Sequence, residues 1–567
     1  MDSYECDVLV VGSGAAGLTT AIACREFGQD VLLVEKTQYF GGTTAFSAGV
    51  IWVPNSPQAA AAGIVDSEER ASKYLECEAG NLVDRDRMLA FLRWAPEMLR
   101  FIEAKTDTRF DLLPTMPDYH PTLPGASGGG RTLRPRVFDG RLLGAHFANV
   151  RPPLKTMTIF GGMMVGSGDI PHLYNLRNSA SSVWYATKMF GRYCYDRLGH
   201  SRGTRLTNGN ALVASLLSSA LKLKIPMWRS SPLARLIVER DRIRGAIVTR
   251  DNREVLVRVR KAVVLATGGF SANRDLRQPF DQEIRKDLQY HSLPPSTNTG
   301  DGFQFATAIG GAIDGDVHQY AAWAPVSEVP QPDGSRIGFP HFSDRAKPGF
   351  IVVDRRGNRF ASEALPYHDF VPQMIAACQN DENVEAFIIA DHRSVRRWGM
   401  GAAPPWPLSI TRFLRTGYLK KGKSIADLAR LCGISAAGLE ATVEFYNGQA
   451  GKGVDASFNK GADAYERIHG AKHDRGEHPN IAPICDGPFY ALRIIPGDIG
   501  TFAGLKTNAD AQVIGDNGEP LQSLYAVGND ASSIMRGTYP GAGVTIGPAM
   551  TFAYIVAKKL STALTDV

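Results

Sequence analysis

The opening of the chain constrains it most. Residues 6–11 (CDVLVV) form a short apolar run rich in β-branched side chains, and Gly12-Ser13-Gly14-Ala15-Ala16-Gly17 follows at once. A helical stretch then runs to about Phe27, and a second apolar run, Val31–Val34, ends at Glu35. Apolar runs of this kind read as strands buried on both faces, so the opening is a βαβ unit of about 30 residues. In such a unit Gly12 makes the tight turn out of the strand and Gly14 lets the backbone approach a pyrophosphate. Gly17 lets the helix pack on the sheet, so that its first amides, at Ala15 and Ala16, face the anion. Glu35 sits where a carboxylate accepts hydrogen bonds from an adenosine ribose. Strand, glycines, helix, second strand and terminal acid fall in the order that nucleotide binding requires.

The segment after Glu35-Lys36 narrows the nucleotide. Phe40-Gly41-Gly42-Thr43-Thr44-Ala45-Phe46-Ser47-Ala48-Gly49 is a small-residue loop close behind the ribose acid. Such a loop suits a backbone that wraps a ribityl chain and a flat ring, which indicates FAD rather than NAD. The segment resembles the succinate dehydrogenase/fumarate reductase flavoprotein superfamily. Members that bind FAD covalently carry a His in this stretch, and none occurs between Phe40 and Trp52, so the resemblance implies non-covalent FAD. The turn Thr267-Gly268-Gly269, which closes the apolar run ending at Ala266, and Gly528-Asn529-Asp530, after 524–527, match the superfamily's other two flavin contacts, so Ala266, Thr267 and Gly268 join the expected cofactor residues.

At 567 residues the chain exceeds one ordinary core and calls for two or three domains. The stretch of roughly 285–495 is richer in Trp, Pro and Asp and lacks the glycine fingerprint. The expected fold is therefore α/β: a discontinuous Rossmann-like FAD-binding domain over 1–284 and 497–567, with an inserted α+β catalytic (capping) domain over 285–496. A net charge of +6 with no long Lys/Arg run argues against a nucleic-acid partner. The seven cysteines include no C-x-x-C pair, which argues against a disulfide framework or a metal site and for a reducing compartment. Without a basic leader at Met1–Asp7, a cytoplasmic location is expected. The uncharged stretch Gly537–Ala557 is long enough to span a bilayer, but Pro540, Gly541, Gly543, Gly547 and Pro548 break it into a buried loop and a helix.

Several segments narrow the branch: Gly49-Val50-Ile51-Trp52-Val53-Pro54, Pro117-Asp118-Tyr119-His120-Pro121, Arg359 to Tyr367, Gly487-Pro488-Phe489-Tyr490 and Gly537 to Phe552. Together they resemble the 3-ketosteroid Δ1-dehydrogenases over nearly the whole chain, and Tyr539-Pro-Gly-Ala-Gly543 is the most specific element. The resemblance implies desaturation between carbons 1 and 2 of a 3-ketosteroid, with a separate electron acceptor. Such chemistry needs a base for the acidic proton beside the ketone, donors for the developing enolate and a hydride acceptor over the neighbouring carbon. By resemblance, the Tyr539 hydroxyl and the Gly543 amide polarise the keto oxygen, Tyr367 is the base, and Thr545 and Ile546 touch the flavin. A free tyrosine titrates near pH 10, so the base needs a hydrogen-bonded partner. In the family a second tyrosine supplies it from an Asp-Tyr-Tyr segment. Here the segment reads Asp118-Tyr119-His120, which leaves Tyr119 and its rival His120 open.

Three other functions stay in view: Δ4-desaturation, dicarboxylate or enoate reduction as in fumarate reductase, and a non-catalytic flavin redox sensor. The fumarate branch uses a His where this chain has Gly500-Thr501-Phe502-Ala503-Gly504, and its lone Arg536 reads as a surface charge or a phosphate contact. Thr501-Phe502-Ala503 also departs from the steroid family's Thr-Lys-Gly. Trp52, Trp323, Phe489 and Tyr490 read first as packing. Residues 141–205 hold nine Lys/Arg against Asp169 and Asp196, interleaved with aromatics and methionines. That pattern raises peripheral membrane contact through about 151–205 as an expectation.

Overall fold

The computed structural model describes residues 2–285, 287–471 and 478–562. β1 (Asp2–Val11), α1 (Ala15–Glu26) and β2 (Val31–Val34) form the opening unit. β1 starts before the apolar run because residues 2–6 ladder with 255–259 of the long strand Arg253–Leu265. β1 lies between that strand (Val8↔Ala262 to Val11↔Leu265) and β2 (Val8↔Val31 to Val11↔Val34), and all three are parallel. The strand Pro520–Ala526 joins in parallel on the far side, from Val263↔Leu524 to Leu265↔Ala526. Gly12, Glu35, Ala266 and Gly528 therefore emerge along one edge of the sheet, where ligands of open α/β sheets bind.

Gly17 shows why α1 can lie so close: a Cβ there would stand 2.0 Å from the Gly12 carbonyl oxygen. Leu233–Glu239, Arg242–Arg250 and Gln512–Ile514 extend the same sheet antiparallel, and Met227–Trp228 extends it beyond β2 in parallel, to eight strands. The segment after Gly537 is a glycine-rich loop followed by the helix Ile546–Thr562. Among the described residues no helix is long and apolar enough to cross a membrane.

Between residues 285 and 496 a second sheet orders Phe350–Val353, Ala386–Asp391, Phe489–Ile494 and Lys420–Gly422, antiparallel throughout. Ile351, Val353, Phe387 and Ile389 pack there with Leu439, Val443 and Tyr446 of the helix Ala436–Ala450. The chain returns through Gly497–Thr501, which pairs with His291–Ser292 and Ala321–Trp323. The helix Tyr367–Ala377 buries Phe370, Val371 and Met374, and this anchors Tyr367 at its first position.

The excursion 141–205 folds into short helices, a two-residue hairpin (Thr158–Ile159 with Met163–Met164) and the longer helix Ala180–Gly199. Met163, Met189 and Tyr193 form its small core. Trp184 (71 % exposed), Tyr195 and Leu198 face out, so the interleaved aromatics divide between packing and surface.

Candidate active site

One cavity of about 650 Å³ runs along the carboxyl edge of the main sheet and continues to the three tyrosines. Every cofactor residue expected from the sequence lines it except Gly17 and Asp530. Gly17 packs helix on strand. Asp530 is buried and accepts the Thr267 and Gly269 amides (2.5 and 3.0 Å) and the Thr267 hydroxyl (2.8 Å). It shapes the turn that others present to the cavity. Lys36 lines the wall but is tied to Thr299 (2.8 Å) and Asp301 (2.9 Å).

The lining suits FAD. Glu35 accepts the Ser13 hydroxyl (2.6 Å) and the Thr37 amide (2.9 Å), which holds a carboxylate at the ribose end. Gly12 has φ +109°, and a Cβ there would meet the Ala266 carbonyl oxygen at 2.2 Å. A Cβ on Gly14 would meet nothing nearer than Thr44 Oγ1 at 3.6 Å, so that face is open to a diphosphate at the start of α1. Ser47, Ala48 and Gly49 present only small groups to a flat ring. Asn298, which sequence reading missed, joins two walls by donating to Thr43 Oγ1 (2.8 Å) and the Gly268 carbonyl (2.9 Å).

At the other end Tyr119, Tyr367 and Tyr539 cluster, all buried. Tyr119 Oη donates to Tyr367 Oη at 3.3 Å. Ring centroids lie 5.1 Å apart for Tyr367–Tyr539 and 5.5 Å for Tyr119–Tyr539. Burial raises the pKa of all three phenols. Tyr119 and Tyr539 add to the rise for Tyr367, and Tyr465 and Tyr539 add to it for Tyr119, where the bond to Tyr367 partly offsets it; the Tyr367 and Thr545 hydroxyls partly offset it for Tyr539. Gly543 has φ +100°, and a Cβ there would lie 2.5 Å from the Ile51 backbone. Its carbonyl accepts from Trp52 (3.2 Å) and Gly547 (2.9 Å), and no acceptor for its N–H is found among the described residues.

The cluster is held by its backbone. The Tyr119 amide (2.9 Å) and the Tyr74 hydroxyl (2.7 Å) both donate to the Pro540 carbonyl. Asp118 accepts from Trp52 Nε1, Ser127 N and Arg131, and burial pushes its carboxyl up to about 6. The Arg345 guanidinium donates to the Glu363 and Leu365 carbonyls just ahead of Tyr367. Trp323 is fully buried, and its amide donates to His368 Nδ1 (3.1 Å). His368 Nε2 therefore carries the proton and donates to the Gly537 carbonyl (3.1 Å). Burial holds that imidazole below its ordinary pKa.

His120 does not line the cavity. Its Nδ1 meets Glu78 at 2.5 Å and its Nε2 meets Asp369 at 2.8 Å. Burial alone would lower its pKa, but the two carboxylates reverse this and raise it to about 10. Both ring nitrogens of His120 are taken up by carboxylates, whereas the Tyr119 hydroxyl bonds that of Tyr367. Arg536 also departs from expectation. It is buried and paired with Asp314 at 2.6 Å, away from any surface or phosphate role.

A family model described as FAD binding domain matches residues 7–546. The chain belongs to this FAD-binding family. The flavoprotein is 39 % identical to 4-oxocyclohex-2-ene-1-carboxylate 5-dehydrogenase of Sinomonas cyclohexanicum, over 99 % of its own length and 94 % of that protein. It is 33 % identical to 3-oxosteroid 1-dehydrogenase of Mycobacterium tuberculosis over 99 % of both chains. It superposes on the crystal structure of 3-ketosteroid delta1-dehydrogenase from Sterolibacterium denitrificans, in complex with 1,4-androstadiene-3,17-dione, with a TM-score of 0.90. That pair is 35 % identical and covers 98 % of this chain and 99 % of the other. The flavoprotein is an FAD-dependent oxidoreductase with an FAD-binding domain and a capping domain, and its likeness to the 3-ketosteroid Δ1-dehydrogenases runs the full length of the chain.

Proposed function

We propose that this flavoprotein desaturates the ring of a cyclic ketone next to its carbonyl, with a 3-ketosteroid desaturated between carbons 1 and 2 as the leading substrate. The observation that carries this reading is the Tyr119–Tyr367–Tyr539 cluster and Gly543 in one cavity with the flavin cradle. The Tyr539 hydroxyl and the Gly543 amide hold the keto oxygen and stabilise the enolate that forms. Tyr367 removes the proton from the carbon beside the ketone, with the Tyr119 hydroxyl 3.3 Å from its own as the neighbouring proton partner. FAD, when bound by the Gly12–Ala16, Ser47–Gly49 and Gly528–Asn529 walls, supplies the two-electron hydride acceptor. Residues 285–496 act as the cap that brings Tyr367 over the site and excludes water. No histidine or cysteine lines the cavity among the described residues, which supports non-covalent FAD.

Anaerobic mixing with androst-4-ene-3,17-dione tests the reading. Loss of the oxidised-flavin absorbance with formation of the 1,4-diene supports it. An unbleached flavin that fumarate reoxidises after chemical reduction overturns it.

A smaller substrate is a second reading. The Sinomonas relative, named for a 4-oxocyclohexene carboxylate, shares more residues with this chain than the mycobacterial steroid enzyme does. The reaction at the ketone is the same, and only the distal part of the cavity distinguishes the two.

The excursion 141–205 supports docking at an anionic lipid surface. Trp184, Tyr195 and Leu198 are exposed on the same helix as Lys188 and Arg197. Co-sedimentation with anionic liposomes that persists in a Trp184→Ser, Lys188→Gln, Arg197→Gln variant overturns that part.

A further inference from the structure

The cations lining the cavity are Lys36, Arg134, Arg136, Arg151 and Arg205. Lys36 meets Asp301 at 2.9 Å, Arg136 meets Asp111 at 2.7 Å, and Arg205 grips Asp169 with both terminal nitrogens (3.0 and 2.9 Å). Arg151 donates to Thr37 Oγ1 at 3.0 Å, at the ribose end beside Glu35. Arg134 differs. It is half-buried, its side chain donates to the Ser167 hydroxyl at 3.2 Å, and it forms no ion pair among the described residues. The lining carboxylates are otherwise engaged: Asp301, Asp111 and Asp169 by those cations, and Glu35 by Ser13 and Thr37. A guanidinium has five donors in a rigid fork, so Arg134 keeps donors in hand. Partial desolvation without a counter-charge is unfavourable, and an anionic ligand removes that cost.

The strand Thr132–Pro135 sets where this charge stands. It ladders with Ile51–Trp52 (Ile51↔Leu133, Trp52↔Thr132), which follow the Ser47–Gly49 loop, so Arg134 belongs to the flavin end and not the ribose end. Side chains two apart on a strand share a face. Thr132 donates to the carbonyl of Ala542, the residue before Gly543, at 3.2 Å. Arg134 is therefore about 7 Å further along the same face. The strand that bonds the segment leading into Gly543 thus also carries Arg134, at the flavin end of the cavity.

We propose that Arg134, supported by Ser167, is a carboxylate-binding subsite, and that the flavoprotein accepts cyclic keto acids whose ketone lies at Tyr539 and Gly543. This rests on the desaturase reading for the position of the ketone. The carboxylate takes both outer guanidinium nitrogens, the geometry that distinguishes arginine from lysine at such sites. With the other lining cations paired to Asp301, Asp111 and Asp169, and Arg151 beside Glu35, Arg134 is, among the described residues, the lining charge left over to draw an anionic substrate.

Calorimetric titration of the oxidised holoenzyme tests the subsite without turnover. The probes are 4-hydroxybenzoate, whose phenol oxygen stands in for the enolate, and its neutral twin 4-hydroxybenzamide. The wild type should bind the carboxylate roughly 10- to 100-fold more tightly than the amide, the range of a charge-assisted pair. Arg134→Gln should bring that ratio close to one, and Arg134→Lys should leave it in between, with FAD content unchanged in both. Absent or equal binding of the two probes by the wild type, or an unchanged ratio in Arg134→Gln, overturns the proposal. So does loss of FAD in Arg134→Gln with FAD retained in Arg134→Lys, since the charge would then serve the cofactor. The desaturase reading fails separately. If the carboxylate binds through Arg134 but neither 4-oxocyclohexanecarboxylate nor androst-4-ene-3,17-dione bleaches the flavin, the subsite stands and the reaction does not.

Discussion

Replacing His120 by Gln tests how the tyrosine pair is held together. His120 follows Tyr119 directly, and Asp369 lies two residues after Tyr367 in the first turn of its helix. The 2.8 Å contact between them therefore ties the Tyr119 and Tyr367 segments, while Glu78 anchors the same ring from the other side at 2.5 Å. A pKa raised from 6.5 to about 10 corresponds to roughly 5 kcal/mol of preference for the charged form. Asp369 is 32 % exposed and His120 29 %, and solvent screening reduces the usable part to about 2–3 kcal/mol. Because the folded-state pKa is the higher one, this stability is fully present below pH 6.5 and is lost as pH rises through 10.

Differential scanning calorimetry from pH 6 to pH 10 reads it out. The wild type should exceed His120→Gln most at pH 6, and the gap should shrink toward pH 10. Glutamine keeps a polar contact but no charge, so the gap isolates the charge. If Tyr367 is the base as proposed, steady-state kinetics on the two proteins should show the larger change in kcat, since the clamp orients Tyr367 and His120 does not line the cavity. A gap that does not vary with pH, or one that widens toward pH 10, refutes the ion-pair account. A lower Tm with intact kcat refutes the link to the tyrosines.

The same geometry sets other outcomes. Tyr367→Phe should retain FAD and bind ketone but lose on the order of 10²–10⁴ in the rate of anaerobic bleaching, the usual contribution of a positioned base. Because burial raises the Tyr367 phenol above its ordinary range, the wild-type bleaching rate should climb with pH through the alkaline range, and the climb should vanish in that variant. Gly543→Ala forces a Cβ to within 2.5 Å of the Ile51 backbone at φ +100°. It should cost about 1–3 kcal/mol and abolish turnover, read by thermal melts and by bleaching. Acid precipitation of the holoenzyme should leave the flavin in the supernatant, and flavin retained in the pellet would contradict non-covalent binding.

The flavin half was legible because its signals are local. Strand, glycines, helix and ribose acid fall within the first 35 positions, and the parallel register of β1 and β2 preserves that order. That the three tyrosines would meet was legible only through family resemblance, since nothing near position 367 marks it as a neighbour of Tyr119 or Tyr539. The features hidden from the sequence depend on partners far along the chain. His120 could compete with Tyr119 on paper because its carboxylates lie 42 residues before it and 249 after it. Arg536 read as a surface or phosphate-binding charge, yet Asp314, 222 residues earlier, takes it into the interior. Asp530 sits within a flavin motif but turns inward to Thr267, across 263 residues. Arg134 carried no signal, because an unpaired cation is recognised only once its neighbours are known to be paired.

The register of the central sheet also bears on how the molecule is made. The strand Pro520–Ala526 completes the parallel edge, and Gly528, Tyr539 and Gly543 come after it. A ribosome must therefore release the chain through Gly543 before the cavity has its last wall. Until then Val263–Leu265 present an unpaired flank, a ready template for a strand of another chain. Flavin should consequently be captured only once the chain has emerged past Gly543. Chains stalled short of Pro520 should depend on chaperones and should fail to retain the cofactor, however well their first βαβ unit has formed.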